Sequence, residues 1–575
     1  MSVPQLFKHM RLSPVLACGL ATAAAGAPHI IHIMGDDIGW NDLSYHHGSL
    51  SHSPHLDALA TGGVRLVNHH AFKVCGPSRS AFHTGRLPWQ MGYYDNSGTA
   101  VPWLNIDSNR LGASLDFTLL PQTLRNSAAN YTAHAVGKWH LGHVTRAYTP
   151  TYRGYASFLG YYNAMTEDYW AHTHGTGTNA PGGCQGDGQG GLWNGLMNNT
   201  GAALGHSFDN GTYESTLFGD QAVQLIERHD TATDGPLFLY LAFHNEHDPH
   251  QAPRSAIDRY GAGVRSDTYK ITVAQIATMD EQVGRVVAAL NASGMLDDAI
   301  LSFSSDNGGP LDHANNYPRR GGKHGFYEGG IRTEAFVWSR RIPEARRGAS
   351  YDGLMHLADW KATLARGAVG LPPAQLDDGA PFADESHDHW AAILGEAPCP
   401  RRQLVHNVHS PAHYPGNCTI KSWGGRNCPA VITQGDLKYM VGYVGDARIV
   451  EMDEATNASV PFGGSGGRCG LGGVDERCDS PGKGKAPKPQ PHDPGGCLHG
   501  CLFNVTADVG EKHNLVNHSQ HAPAIAAMQA ALAAAGAAAP PWFQAPQVAN
   551  YSNAQLGQAL CDAAHRADSV QPLDF

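Results

Sequence analysis

The sequence predicts an α/β domain on a large, mostly parallel sheet, followed by a smaller C-terminal α+β domain with an antiparallel sheet. Three observations predict it. Short, continuous apolar runs recur, each stopping at a polar or Gly-rich turn, as strands buried on both faces do. Patterns with helical spacing lie between them, and this alternation suits helices packed on both faces of a parallel sheet. The composition then shifts near residue 398 to Gly-, Pro- and Cys-rich segments.

In chain order, residues 29–34 are β-branched and apolar and stop at Gly35-Asp36-Asp37. Residues 119–129 read as a helix. Residues 133–136 form a second strand, which stops at Gly137-Lys138. The run 237–243 stops at His244-Asn245-Glu246-His247, and 299–303 stops just before Asp306-Asn307-Gly308-Gly309. Residues 273–296 read as a long helix, with Ile276, Met279, Val283, Val286, Val287 and Leu290 on one stripe and Gly294 near its end. Downstream, 402–408 and 430–444 suit strands of a smaller sheet, and 463–500 reads as a long loop. Residues 522–535 form an Ala-rich helix, with Pro523 in its first turn and Gly536 just past its end. The expected domains are 28–398 and 399–575.

Composition narrows the function. The chain has 575 residues and a net charge of −11, too acidic for the basic field of a general nucleic-acid binder. With 42% hydrophobic and only 16% charged residues it is no disordered polyelectrolyte. No mature stretch reaches the ~18 apolar residues of a membrane span. Lys8 and Arg11, an apolar segment over 13–25 and small residues up to Ala27 read as a secretory signal over residues 1–27. Sequons at Asn130, Asn198, Asn210, Asn291, Asn417, Asn457, Asn504, Asn517 and Asn550 agree with a secreted or lysosomal glycoprotein. Of eleven cysteines, eight lie between Cys399 and Cys561, which suits disulfides in an oxidising compartment. Cys497 and Cys501 also have a spacing open to weak zinc binding.

In open α/β sheets ligands bind beyond the carboxyl ends of strands. Asp36, Asp37, Lys138, His140, His247, Asp306 and Asn307 all follow strand ends, so the fold would gather them on one edge. Polar turns are ordinary after strands, and Asp36-Asp37 alone would serve equally as a turn and helix cap. A Lys-Trp-His run is not ordinary turn chemistry. Asp36, Asp37, Asp306 and Asn307 offer oxygen ligands only, a set for Ca²⁺ or Mg²⁺ rather than a soft metal.

The most specific signal is Cys75-Gly76-Pro77-Ser78-Arg79 with Thr84-Gly85-Arg86, joined to Gly137-Lys138-Trp139-His140-Leu141-Gly142 and Asp306-Asn307-Gly308-Gly309. With Gly39-Trp40-Asn41-Asp42 and Tyr327-Glu328-Gly329-Gly330-Ile331-Arg332, the chain resembles the type I sulfatases of the alkaline-phosphatase superfamily, most closely the arylsulfatase B group, over roughly residues 28–450.

That resemblance implies a sulfate ester hydrolase. Cys75 would be oxidised by the formylglycine-generating enzyme to Cα-formylglycine, whose hydrate is the nucleophile. One Ca²⁺ would be held by Asp36, Asp37, Asp306, Asn307 and an oxygen of residue 75. Arg79 would pair with the hydrate and the metal carboxylates, and Lys138 and Lys323 would bind sulfate. His140 would take a proton from the hydrate, and His247 would protonate the leaving alcohol. A sulfated carbohydrate, such as a sulfated N-acetylhexosamine, is the implied substrate. Tyr93, Tyr94, Trp103, Trp170 and His313 are candidate wall residues. Departures from the family pattern are Asn130, where Gly is usual, and His83, where an apolar residue is usual. His83 either lines the site or packs. A phosphate or phosphonate monoesterase of the same superfamily, and a non-catalytic polyanion-binding glycoprotein, are the alternative readings.

Overall fold

The computed structural model describes residues 26–539, apart from 48–49, 95–111, 144, 163, 165, 167, 176–191, 195, 206, 208, 210, 381–384, 409–428, 443, 450–476 and 480–496. The signal segment and Trp103 therefore lie outside the described residues.

Nine strands build the main sheet: β1 (His29–Gly35), β2 (Val64–Leu66), β3 (Thr132–Lys138), β4 (Ser157–Tyr161), β5 (Met197–Thr200), β6 (Leu237–Ala242), β7 (Ala299–Ser305), β8 (Ala335–Ser339) and β9 (Ala349–Tyr351). Their order across the sheet is β9-β2-β8-β7-β1-β6-β3-β4-β5. The central five, β7-β1-β6-β3-β4, run parallel. At the margins β8 is antiparallel to β7 and to β2, and β5 is antiparallel to β4.

The apolar runs are explained by burial on both sides. On β1, Ile30 and Met34 enter one core cluster with Phe82, Trp360 and Leu364, while Ile31 and Ile33 enter the other. That second core is closed by α4 (Asp267–Ala292), whose Ile276, Met279, Val283, Val286 and Leu290 form the expected stripe. The helix starts six residues earlier than the apolar pattern suggests, because the Ser266 side chain caps it by accepting from Tyr269 N at 3.2 Å. The segment expected over 119–129 is a helix only over Leu120–Arg125.

A second sheet contains β10 (Gln403–Asn407), β11 (Ala430–Gln434), β12 (Leu437–Val441) and β13 (Cys501–Asn504), antiparallel throughout. Helix α5 (Ala522–Ala538) rests on it through Met528 and Leu532. Gly536 lies inside this helix rather than past its end, since the Ala-rich run continues on both sides of it. Within the expected loop 463–500, Arg477–Asp479 is a strand paired antiparallel with Gln251–Pro253. Cys497 and Cys501 form a disulfide, which removes the zinc reading. No helix among the described residues is long and apolar enough to cross a membrane.

Candidate active site

The sheet register delivers the site. Gly35 at the end of β1 is level with Ser305 at the end of β7, and Met34 and Gly137 are both level with Ala242 at the end of β6. Asp36-Asp37, Asp306-Asn307, Lys138 and the His244–His247 loop thus leave neighbouring strands on one edge. Two backbone hydrogen bonds stitch these exits together: Asp36 N donates to Asn245 O (3.0 Å), and Asp306 N to Gly35 O (3.2 Å). Gly137 permits the close approach. It has φ +101°, and a Cβ there would lie 1.8 Å from the Ala242 carbonyl oxygen.

Cys75 opens the helix α2 (Cys75–Thr84), with extended Val74 as its N-cap. The partial positive charge of the helix N-terminus therefore falls at residue 75. The Cys75 thiol donates to Asp36 Oδ1 (3.4 Å) and is fully buried. Ser78 is structural. Its hydroxyl accepts from Phe72 N (3.0 Å) and donates to Phe72 O (3.2 Å), which pins the loop leading into the helix.

Around Cys75 three carboxylates interleave with three cations. Lys138 Nζ is 2.5 Å from Asp36 Oδ2, and Lys323 Nζ is 2.6 Å from Asp37 Oδ2. Arg79 places Nε and Nη2 each 2.9 Å from Asp306 Oδ2, with Nη2 3.5 Å from Asp36 Oδ2. Asn307 Nδ2 donates to Asp37 Oδ1 at 2.6 Å. His247 Nε2 stands 3.9 Å from Asp37 Oδ2. His140 is buried, at φ +55°, and its backbone N–H donates to Tyr162 O at 3.1 Å.

The proton equilibria follow from this packing. Burial opposes charge on Asp36, but Lys138, His247 and Arg79 outweigh it and hold the carboxyl well below its usual range. Asp306 is pushed up to about 6 by burial and by the Asp36 charge. Burial would lower Arg79 and Lys323, yet Asp306 for the first and Asp37 for the second hold both above their ordinary values. Burial lowers both histidines well below 6.5, with Lys138 and Arg79 adding to it at His140, and Lys323 and Lys138 at His247. The Cys75 thiol is pushed well up by burial and by Asp306 and Asp36. An unmodified thiol here stays protonated and is a poor nucleophile.

The donor set fits a hard divalent cation. Ligand atoms of Asp36, Asp37, Cys75 and His247 lie within 4.8 Å of one another. Asn307 Oδ1, whose amide is oriented by its bond to Asp37, is buried with no hydrogen-bond partner among the described residues. Carboxylate and amide oxygens of this kind suit Ca²⁺ or Mg²⁺. Asp306 stands outside that group of four, with Oδ2 taken by Arg79 and Oδ1 accepting from Asp37 N at 3.2 Å.

Other expected residues fall elsewhere. His83, in the last turn of α2, is buried with its ring bonded to Arg79 O and Tyr155 Oη at 2.9 Å each. Tyr93 and Tyr94 belong to the core shared with the second sheet, and Trp170 packs on Tyr169 and Tyr213. His313 is buried, pairs with Asp312 at 3.0 Å and feels the Asp37 charge. Asn130 has φ +49°, a conformation that explains why glycine suits this position. Sequence reasoning missed His244, which stacks on His247, Tyr169, whose hydroxyl reaches His247 O, and Glu214, which stands behind His244. Only the His-x-x-His spacing pointed to the first of them.

Comparison with known proteins shows the family of the chain. Residues 28–370 match the family model described as Sulfatase. The chain belongs to the sulfatase family. Arylsulfatase J of Mus musculus is 34% identical over 388 residues, 67% of this chain and 59% of that protein. The chain thus spans somewhat less than two thirds of that relative's length. Arylsulfatase A of Homo sapiens is 29% identical over 447 residues, 74% of this chain and 78% of that protein. N-acetylgalactosamine-6-sulfatase of Sus scrofa is 30% identical over 381 residues, 62% of this chain and 65% of that protein. Among solved structures, Ps i-CgsB in complex with a neocarrahexaose shares the sulfatase fold at a TM-score of 0.65 and 21% identity, covering 92% of this chain and 98% of that one.

Proposed function

We propose that this sulfatase-family chain hydrolyses sulfate esters of carbohydrates, with residue 75 converted to Cα-formylglycine and Ca²⁺ as its metal. One observation carries the reading: a buried residue 75, at a helix N-terminus, sits within a cage of Arg79, Lys138 and Lys323 interleaved with Asp36, Asp37 and Asp306. Three fixed cations suit the oxygens of a sulfate group, and preorganised charge of this kind is the largest contribution in many hydrolases.

Ca²⁺ would be held by Asp36, Asp37, Asp306, Asn307 and an oxygen of residue 75, and would supply Lewis-acid polarisation. The aldehyde hydrate would supply an oxygen nucleophile that a protonated thiol cannot. Lys138 and Lys323 bind sulfate oxygens, and Arg79 holds the site carboxylates in place. His247 Nδ1 faces the Asp248 carbonyl oxygen (2.8 Å), so that nitrogen carries hydrogen and Nε2 faces the site. A proton held at Nε2 is placed for a leaving oxygen. Burial, with Lys323 and Lys138 adding to it, disfavours that proton in the free enzyme, and a bound anionic ester offsets the lysines' charge. His140 takes the complementary proton at residue 75.

Sulfated N-acetylhexosamines are the favoured substrates. This rests on the named N-acetylgalactosamine-6-sulfatase relatives and on sequence resemblance to the arylsulfatase B group. Exposed sequon residues Asn130, Asn198, Asn291 and Asn517 support a secreted or lysosomal glycoprotein. Because Cys75 is fully buried, the formylglycine-generating enzyme would act before the chain folds.

The test is mass spectrometry of the tryptic peptide spanning residues 74–79, paired with rates on 4-nitrophenyl sulfate and 4-nitrophenyl phosphate. Conversion lowers the peptide mass by about 18 Da and activates the nucleophile. An unmodified thiol in the natively produced protein, or a faster phosphate reaction, would sink the proposal.

A further inference from the structure

We propose that Glu214 and His244 form a buried positioning pair that fixes the ring of His247, so that a side chain remote from the substrate aims the proton delivered to the leaving group. The inference rests on the sulfatase reading above.

His247 is tethered at one edge only by its Nδ1 contact to Asp248 O, and that alone leaves the ring free to tilt. Its face is covered by His244, with ring centroids 5.1 Å apart and planes 21° apart. A stacked neighbour fixes a ring only if it is itself fixed, and His244 is held at both ends. Its Nε2 lies 3.0 Å from the Ala164 carbonyl oxygen, so Nε2 carries a hydrogen. Its Nδ1 faces Glu214 Oε1 at 3.4 Å, a contact that becomes a tether with one proton held between those two atoms. Glu214 is the first residue of the helix Glu214–Arg228 and is 2% exposed. A buried carboxyl is costly without a partner, and among the described residues Glu214 has His244 Nδ1 and the Tyr161 hydroxyl beside it. The loop backbone is pinned as well. The Tyr169 hydroxyl lies 2.6 Å from His247 O and 3.1 Å from His244 O. Glu214, His244 and Tyr169 come from separate segments, and their common effect is the orientation of one imidazole. Precise placement of an acid matters because misalignment of about 1 Å can cost ~10²-fold in rate.

A positioned acid leaves a kinetic signature that simple stability does not. Proton donation matters most when the leaving alcohol is a poor leaving group and little when it departs readily. The experiment uses the full chain, produced with the formylglycine-generating enzyme and loaded with Ca²⁺. It measures kcat/KM for a series of aryl sulfates of increasing phenol pKa and for one alkyl sulfate. Variants are Glu214→Gln and His244→Phe, the latter keeping the stacked ring but losing both tethers, with Tyr169→Phe as the milder backbone release. His247→Ala sets the limit for loss of the acid. Glu214→Gln and His244→Phe should lose roughly 10–100-fold more on the poorest leaving groups than on 4-nitrophenyl sulfate. Tyr169→Phe should lose less in the same direction. Equal loss across the series, or no loss in a normally folded variant, overturns the pair. Should Glu214→Gln fold poorly, His244→Phe decides alone. A wild-type protein inactive on every sulfate ester overturns the functional reading itself, a result distinct from a flat series.

Discussion

Lys438 is the most informative stability probe, because one buried ammonium ties the second sheet to the segment at Phe326 and Glu328 and to Glu511. It lies on β12 with its Nζ 2.8 Å from Glu328 Oε1, 2.7 Å from Glu511 Oε1 and 2.9 Å from the Phe326 carbonyl oxygen. All three charged side chains are 1% exposed or less. Lys438→Met keeps the aliphatic stem and removes the charge. At an effective dielectric of about 20, each lost attraction is gross ~6 kcal/mol. Relief of the lysine's own desolvation offsets much of that, and breaking a buried pair of this kind nets roughly 3–5 kcal/mol. Glu328 retains Arg332 at 3.4 Å, His70 at 3.5 Å and Arg319 at 3.9 Å, whereas Glu511, among the described residues, is left with the Glu328 backbone N–H on its Oε2 at 2.7 Å.

The two acids therefore respond differently. Lys438 and His70 overcome burial to hold the Glu328 carboxyl well below its ordinary value, while burial pushes Glu511 up to about 7. Near pH 7 Glu511 is already partly protonated, so Glu511→Gln should cost under about 1 kcal/mol. The double variant Lys438→Met/Glu511→Gln should recover about 1–2 kcal/mol of the single loss, because the contacting sites couple. The assay is urea unfolding followed by tryptophan fluorescence at pH 7. A single-variant loss below about 1 kcal/mol, or a double variant no better than Lys438→Met, refutes the reasoning.

Three further outcomes are expected. Gly137→Ala forces a Cβ into the Ala242 carbonyl at a positive φ, so soluble yield should collapse or stability fall by roughly 4 kcal/mol or more, read by thermal unfolding. Burial lowers His83 and His356 to about 3. Their folded values lie below the unfolded 6.5, so their contribution is full above pH 6.5 and lost as pH falls toward 3. Each should cost about 2 kcal/mol by pH 5, and a melting temperature unchanged between pH 7 and 5 counts against it. Calcium at a hundredfold excess over its dissociation constant should stabilise chelator-treated protein by about 2.7 kcal/mol, and Asn307→Ala should shrink that shift; calorimetry that finds no Ca²⁺ effect removes the metal assignment.

The site was legible because its charges sit at strand ends, and strand ends are visible as breaks in apolar runs. Residues 29–34, 133–136, 237–243 and 299–303 all proved to be central strands, and their register alone aligns Asp36, Lys138 and Asp306. Margins were less legible. β2 and β9 have three residues each, too short for any periodicity, and their pairing is set by tertiary contact. Long-range ionic partners carry no local signal. Lys438, Glu328 and Glu511 are far apart in sequence, and each alone reads as a surface charge. Glu214 likewise reads as an ordinary first-turn acid of a helix. For His83 the sequence leaves lining and packing both open, and its burial against Tyr155 decides for packing.

The charge balance of the cage would link binding of the proposed metal to binding of the substrate. Asp36, Asp37 and Asp306 oppose Arg79, Lys138 and Lys323, so the side chains are near neutral together. A dication alone adds two positive charges to a buried site, and a sulfate anion alone adds negative charge beside three carboxylates. Each is unfavourable where the effective dielectric is low. Together they nearly cancel, and carboxylates engaged by the proposed cation would release Lys138 and Lys323 toward the anion. Binding of the two should therefore be mutually reinforcing, and by linkage the factor must be the same in both directions. Inorganic sulfate at saturation should tighten Ca²⁺ binding by about tenfold, in the ordinary range of coupling energies. Asp37→Asn, which removes the carboxylate shared by the metal and Lys323, should reduce the factor. Calorimetric titrations of Ca²⁺ with and without sulfate measure it directly, and equal affinities would mean that the lysines stay on their carboxylates when metal binds.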